Sequence, residues 1–92
     1  MSTPSPVHAS AADDARLVAY LNLNEYRRAI EHYEQSLKMQ RRLFPGRDMD
    51  VIALSLRNLG DANEKLGDVA AAAKYREEAN AMSARIRERE KR

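Results

Sequence analysis

Residues 56–72 read LRNLGDANEKLGDVAAA, and this stretch decides the fold. Leu56, Leu59 and Leu66 step at helical spacing, with Ala62 and Asn63 between them, and Ile52 extends the same stripe toward the N-terminus. Gly67-Asp68 then breaks the helix, because glycine accepts the left-handed turn that ends a helix and aspartate caps the next one. Beyond the break Ala72, Tyr75, Ala79, Met82 and Ile86 form a second apolar line, so the spacing predicts a helix from about Val69 into the C-terminus. The charged run after Ala84 is expected to fray into solvent.

Working back, Arg47-Asp48-Met49-Asp50 reads as a loop that supplies an aspartate cap. Phe44-Pro45-Gly46 ends the preceding helix, whose apolar positions are Tyr26, Ile30, Tyr33, Leu37 and Phe44 with Ala29 beside them. Leu23-Asn24-Glu25 reads as a turn, with Asn24 the residue best able to adopt a left-handed conformation. Before it, Ser10 and Asp13 form a capping box, and Ala11, Ala15, Val18 and Leu21 or Asn22 mark a helix over about 11–22. Residues 1–9, with Thr3-Pro4 and Ser5-Pro6, read as a disordered tail. Four helices are therefore expected, and no stretch alternates with the period of a strand.

Composition narrows the function. The 92-residue chain has room for one small domain. It has no cysteine, which excludes disulfides and thiolate metal sites. Sixteen basic and fourteen acidic residues leave a net charge of only +2, which is not the balance of a basic nucleic-acid binder. No apolar run approaches a membrane span and the first ten residues carry no signal-peptide pattern, so a cytoplasmic location is expected. His8 and His32 have no metal-ligand spacing, and no nucleophile–base pair or glycine-rich phosphate loop is present. No cofactor, metal or catalytic activity is expected. The C-terminal Arg85, Arg87, Arg89, Lys91 and Arg92 are interleaved with Glu88 and Glu90 and lack aromatics for base stacking, which disfavours nucleic acid as a partner.

The chain also repeats itself. Shifted by 43 residues, Leu23-Asn24-Glu25-Tyr26 lies over Leu66-Gly67-Asp68-Val69, Ala29 over Ala72, Met39 over Met82, and Arg42-Leu43 over Arg85-Ile86. Periods of this size mark stacked helix pairs. Leu56-x-x-Leu59-Gly60, Gly67-Asp68-Val69, Ala72 and Ala79 resemble a tetratricopeptide repeat, as do Tyr20, Tyr26, Ala29, Tyr33 and Ser36 in the first copy. The linker from Leu43 to Asp48 and the run Ala53-Leu54-Ser55-Leu56-Arg57-Asn58-Leu59-Gly60 are similar, more narrowly, to the long repeats of kinesin light chains.

The resemblance implies an all-α fold of two antiparallel helix-turn-helix hairpins, stacked as a short tetratricopeptide-like solenoid. The domain would span residues 10–87, with repeat 1 at about 10–44, repeat 2 at about 48–87, and 88–92 a frayed charged end. It further implies a protein-interaction scaffold that binds a peptide or partner helix on its concave face. The matching positions are Leu54, Arg57, Asn58, Asp61 and Lys65, where the Asn58 amide can both donate to and accept from a ligand backbone. Two repeats are fewer than a stable array normally needs. The alternative is therefore a structural, self-associating helical protein or a fragment of a larger array, with homo-oligomer contacts through the first or last helix.

Overall fold

The structure, a computed structural model, describes residues 11–91, and the side chains of residues 21–91. The expected tail over 1–9 and the Ser10 cap lie outside the described residues. The described chain is all-α: α1 spans Ala11–Leu43, α2 Asp50–Leu66 and α3 Val69–Glu90.

The α2–α3 hairpin forms where the spacing placed it. Gly67 takes a left-handed conformation (φ 98°), and its N–H bonds back to the last turn of α2. There an L side chain would be strained. The Asp68 carboxylate accepts from the Ala71 N–H at 3.1 Å and so caps α3. The helices then run antiparallel, tied near the turn by Arg76 to Asp61 (2.9 Å) and farther along by Arg57 to Ser83 (3.0 Å). Between them lies the core of Ile52, Leu56, Leu59, Ala79, Met82 and Ile86, joined by Leu37 of α1. Leu56 and Leu59 are completely enclosed. Burial of each such side chain contributes roughly 1.5–3 kcal/mol relative to exposure.

Gly60 explains how closely these two helices approach. A Cβ placed there would stand 2.8 Å from Cγ of Arg76 and 3.4 Å from the Ala72 carbonyl oxygen. The hydrogen at this position lets the Arg76 stem lie across α2, while its guanidinium reaches Asp61 and Glu64. The Arg76 methylenes thus pack over Gly60 while the charged head stays toward solvent.

The first hairpin differs from its expectation. No turn forms at Leu23-Asn24-Glu25; α1 passes straight through as one 33-residue helix, about 50 Å long at 1.5 Å per residue. The physical reason is local. Leu23 and Glu25 are good helix formers, and Asn24 costs only about 0.7 kcal/mol relative to alanine, too little to interrupt a cooperative helix without a glycine or proline. The true end of α1 is at Phe44-Pro45-Gly46, where Gly46 has φ 67°.

Two further expectations are corrected. The cap position of α2 belongs to Met49, with no side-chain cap bond, and Asp50 sits inside the first turn. Asp48 is not a cap either: its two carboxylate oxygens each accept from Arg85 at 2.9 Å, and its carbonyl oxygen accepts from Arg89 at 3.1 Å. The hydrogen bond from Arg85 holds the Asp48 carboxyl below its usual range. This clasp and the buried Ile86 keep α3 helical to Glu90, beyond the point where fraying was expected. Likewise, the apolar line of α3 is consumed by its packing on α2, since Ala72, Ala79, Met82 and Ile86 are all buried. It is not the free face for a second copy that the shortage of core had suggested.

Candidate functional site

The α1–α2 pairing creates the main candidate site. The two helices run antiparallel: Ser55 donates to Gln40 at 2.9 Å near one end, and the Lys65 ammonium sits 5.8 Å from the centre of the Tyr26 ring near the other. Between these ties the helices leave a cleft of about 290 Å³, lined by Tyr26, Ala29 and Tyr33 from α1 and by Asn58, Asp61, Ala62 and Lys65 from α2. Tyr26, Ala29 and Tyr33 follow one another at three- and four-residue steps, so one face of α1 presents all three. All three are only half-buried. Two phenols and two alanines stand beside an amide, a carboxylate and an ammonium, so the lining is mixed and more polar than apolar, with aromatic rings of the kind that anchor protein contacts.

The five residues expected on the binding face are divided by the structure. Asn58 and Lys65 face the α1–α2 cleft. Asp61 borders that cleft and also the one between α2 and α3, where Arg76 holds it. Arg57 lies wholly on the α2–α3 side, bonded to Ser83 and beside Asn80. Leu54 is 56% exposed one turn before Asn58, and lines neither cleft. The face is thus split in two by the α2 ridge, and only its Asn58–Lys65 half meets aromatic side chains.

The apolar spacing of α1 reads Tyr26, Ala29 and Tyr33 as core; Tyr33 does pack against the core and also lines the cleft, whereas Tyr26 and Ala29 line the cleft. Helical spacing identified their common face but could not show whether a neighbour covers it. The shared signal was available in part: an alanine between two tyrosines leaves a dent, and Asn58 belongs to the face of α2 that meets it. The side chains of Ala11, Asp14, Ala15 and Val18, the first-copy counterparts of the binding face, lie outside the described residues.

Electrostatics add little chemistry. His32 is exposed beside Tyr33. Tyr75 has its phenol pKa raised by burial, then by Glu34 and Glu78, and Glu78 is itself paired with Arg41 at 2.8 Å across α2. Among the described residues no three histidine, cysteine or acidic side chains gather closely enough to hold a metal. Of the C-terminal bases, Arg85 and Arg89 are already engaged by Asp48. No described helix is long and apolar enough to cross a membrane.

Neither a curated protein nor a solved structure matches the chain significantly. Residues 15–42 match the sequence model of the tetratricopeptide repeat family. The match falls on the first copy, and it includes Tyr20, Tyr26, Ala29, Tyr33 and Ser36. It spans both segments that flank Leu23-Asn24-Glu25, within what the structure shows as a single helix. The matched stretch is less than half of the chain, and it makes these residues similar to a tetratricopeptide repeat, a repeat that generally serves protein interaction.

Proposed function

We propose that this chain is a protein-interaction module whose α1–α2 cleft receives an amphipathic helix or peptide from a partner. The open, half-buried row of Tyr26, Ala29 and Tyr33 carries this reading. Tyr33 packs on the core and still lines the cleft, and Tyr26 beside it is only half-buried, so aromatic surface remains open to a partner. The partner's apolar side chains would seat against the tyrosines. Asn58 would grip its backbone, since an amide both donates and accepts and so holds a chain without demanding a particular side chain. Lys65 would contribute a charge at the end of the cleft nearest Tyr26. Leu54 would extend the apolar contact at the opposite rim. Arg57 and Asp61 would act indirectly, by keeping α3 against the back of α2. The 43-residue period, the Leu43–Asp48 linker and the run Ala53–Gly60 support a longer, kinesin-light-chain-like type of repeat, and repeat 1 at about 10–44 with repeat 2 at about 48–87 is the proposed division. We take the setting to be cytoplasmic.

Ala29→Arg tests the reading. Arginine is a good helix former, so α1 and the melting temperature should be preserved while the cleft is filled. Proteins captured from a lysate of the source cells by the native chain should be lost, with affinity for any one of them falling about tenfold or more, as for a blocked central contact. Asn58→Ala should weaken the same capture less. Capture unchanged by Ala29→Arg would refute the cleft as the binding site.

A further inference from the structure

The molecule is unevenly charged from end to end. Arg85 and Arg89 hold Asp48, so the last turns of α3 lie at the end where α1 runs into α2. Residues 35–50 and 84–91, which form this end, hold eight basic and four acidic side chains, whereas residues 21–34 and 51–83 hold six basic and eight acidic. Residues 35–47 carry no acid at all. Arg41 is paired with Glu78. Lys38, Arg42, Arg47 and Arg87 are exposed and enter no ion pair among the described residues.

The same end exposes aliphatic side chains. Met39 is 62% and Leu43 64% exposed, and Val51 is 43% exposed across the connection. Met39 and Leu43 are four residues apart, so they share one face of α1, and neither belongs to the core. The depression beside Met39, about 160 Å³, is lined by Gln35, Lys38, Met39 and Arg42 of the one helix, so it has no opposite wall to grip a peptide. The ten residues ahead of Ala11 cannot cover this surface. Leu43 lies about 48 Å from Ala11 along α1, and ten extended residues span at most about 36 Å.

We propose that this end of the molecule seats on an anionic membrane surface, with Met39 and Leu43 entering the interfacial layer and Lys38, Arg42 and Arg47 meeting the headgroups of acidic lipids. Charge complementarity selects the lipid class, since each base held near an anionic surface raises affinity roughly fivefold. The aliphatic tips reach below the headgroups while the long lysine and arginine stems keep their charges at headgroup level. The convex shape agrees: a fluid bilayer conforms to a protruding end, whereas a folded protein partner needs a matching hollow. No helix has to cross the bilayer for this contact. The surface is separate from the α1–α2 cleft, where Tyr26 meets Lys65 at the far end of α2, and does not depend on the function proposed for that cleft.

Co-sedimentation with lipid vesicles tests this. The native chain should bind vesicles of mixed phosphatidylserine and phosphatidylcholine at low salt, should not bind pure phosphatidylcholine, and should be released as salt is raised. Met39→Gln combined with Leu43→Gln, at exposed sites where glutamine keeps the helix, should lower partitioning about tenfold. Arg42→Gln combined with Arg47→Gln should lower it roughly 25-fold. Asn58→Ala, in the cleft, should bind as the native chain does, and circular dichroism should be the same for all. No binding to the mixed vesicles at low salt would overturn the proposal. So would binding unchanged by the Met39 and Leu43 pair, which would leave only adsorption of charge, or binding lost in Asn58→Ala, which would move the contact to the cleft. Binding to polyglutamate with none to vesicles would make this end a contact for acidic protein and would overturn the lipid assignment.

Discussion

Leu56→Ala is expected to destabilise the protein by about 2–5 kcal/mol, the range for truncating a fully buried leucine. Leu56 has no exposed surface and belongs to the α2 stripe that meets both α1 and α3. Truncation removes its transfer free energy and leaves a cavity between three helices that cannot collapse independently. A domain of this length has a total stability on the order of 5–14 kcal/mol, and this one has few core side chains to share the loss. Urea unfolding followed by circular dichroism should show the midpoint falling steeply with little change in slope. Leu54→Ala provides the contrast. It lies two residues away on the same helix but is 56% exposed, and should change stability by no more than about 0.5 kcal/mol. Equal effects at the two positions would mean that the buried face of α2 has been misplaced.

Gly60→Leu should be comparably damaging, by about 3 kcal/mol, through overpacking rather than loss of packing. The first carbon of any side chain at residue 60 already meets the Arg76 stem at 2.8 Å and the Ala72 carbonyl oxygen at 3.4 Å. The rest of a leucine has no volume to enter unless α2 and α3 separate, which would open the contact between Leu59 and Ala79 on the same interface. Gly60→Ala is the informative intermediate. Alanine gains about 1 kcal/mol of helix propensity over glycine but must displace Arg76 from its stem contact. Removing that obstacle with Arg76→Ala in the same chain should make Gly60→Ala stabilising. Thermal unfolding of the four variants in the cycle measures this coupling directly, and additivity would show that Gly60 does not set the helix approach.

The sequence revealed the second hairpin more fully than the first, for a reason visible in its residues. Gly67-Asp68 combines a left-handed glycine with an effective cap, so local chemistry leaves the chain one choice there. Leu23-Asn24-Glu25 resembles it only by its place in the repeat; its own residues allow a turn without demanding one, and the helix continues. The stripe of Ile52, Leu56 and Leu59 was legible from spacing alone because α2 is covered on both sides, by α1 and α3. Tyr26, Ala29 and Tyr33 obey the same periodicity, yet whether they are core or site depends on where residues 11–22 lie. That is a matter of one turn, which periodicity does not encode. Asp48 was recognised as a loop acid, but its engagement with Arg85 spans 37 residues of sequence and leaves no local signature.

The openness of the cleft depends on α1 remaining straight, and this can be measured as a distance. Spin labels on cysteines introduced at Asp14 and Gln35, with labelled chain diluted in excess unlabelled chain so that only pairs within one molecule contribute, report it by pulsed electron resonance. The 21 intervening steps correspond to about 30 Å in a straight helix. A single distribution centred near that value is the expected result. A dominant distance near about 10 Å, the separation of two packed helices, would mean that residues 11–22 fold back onto their own chain and close the cleft, contrary to the structure described above.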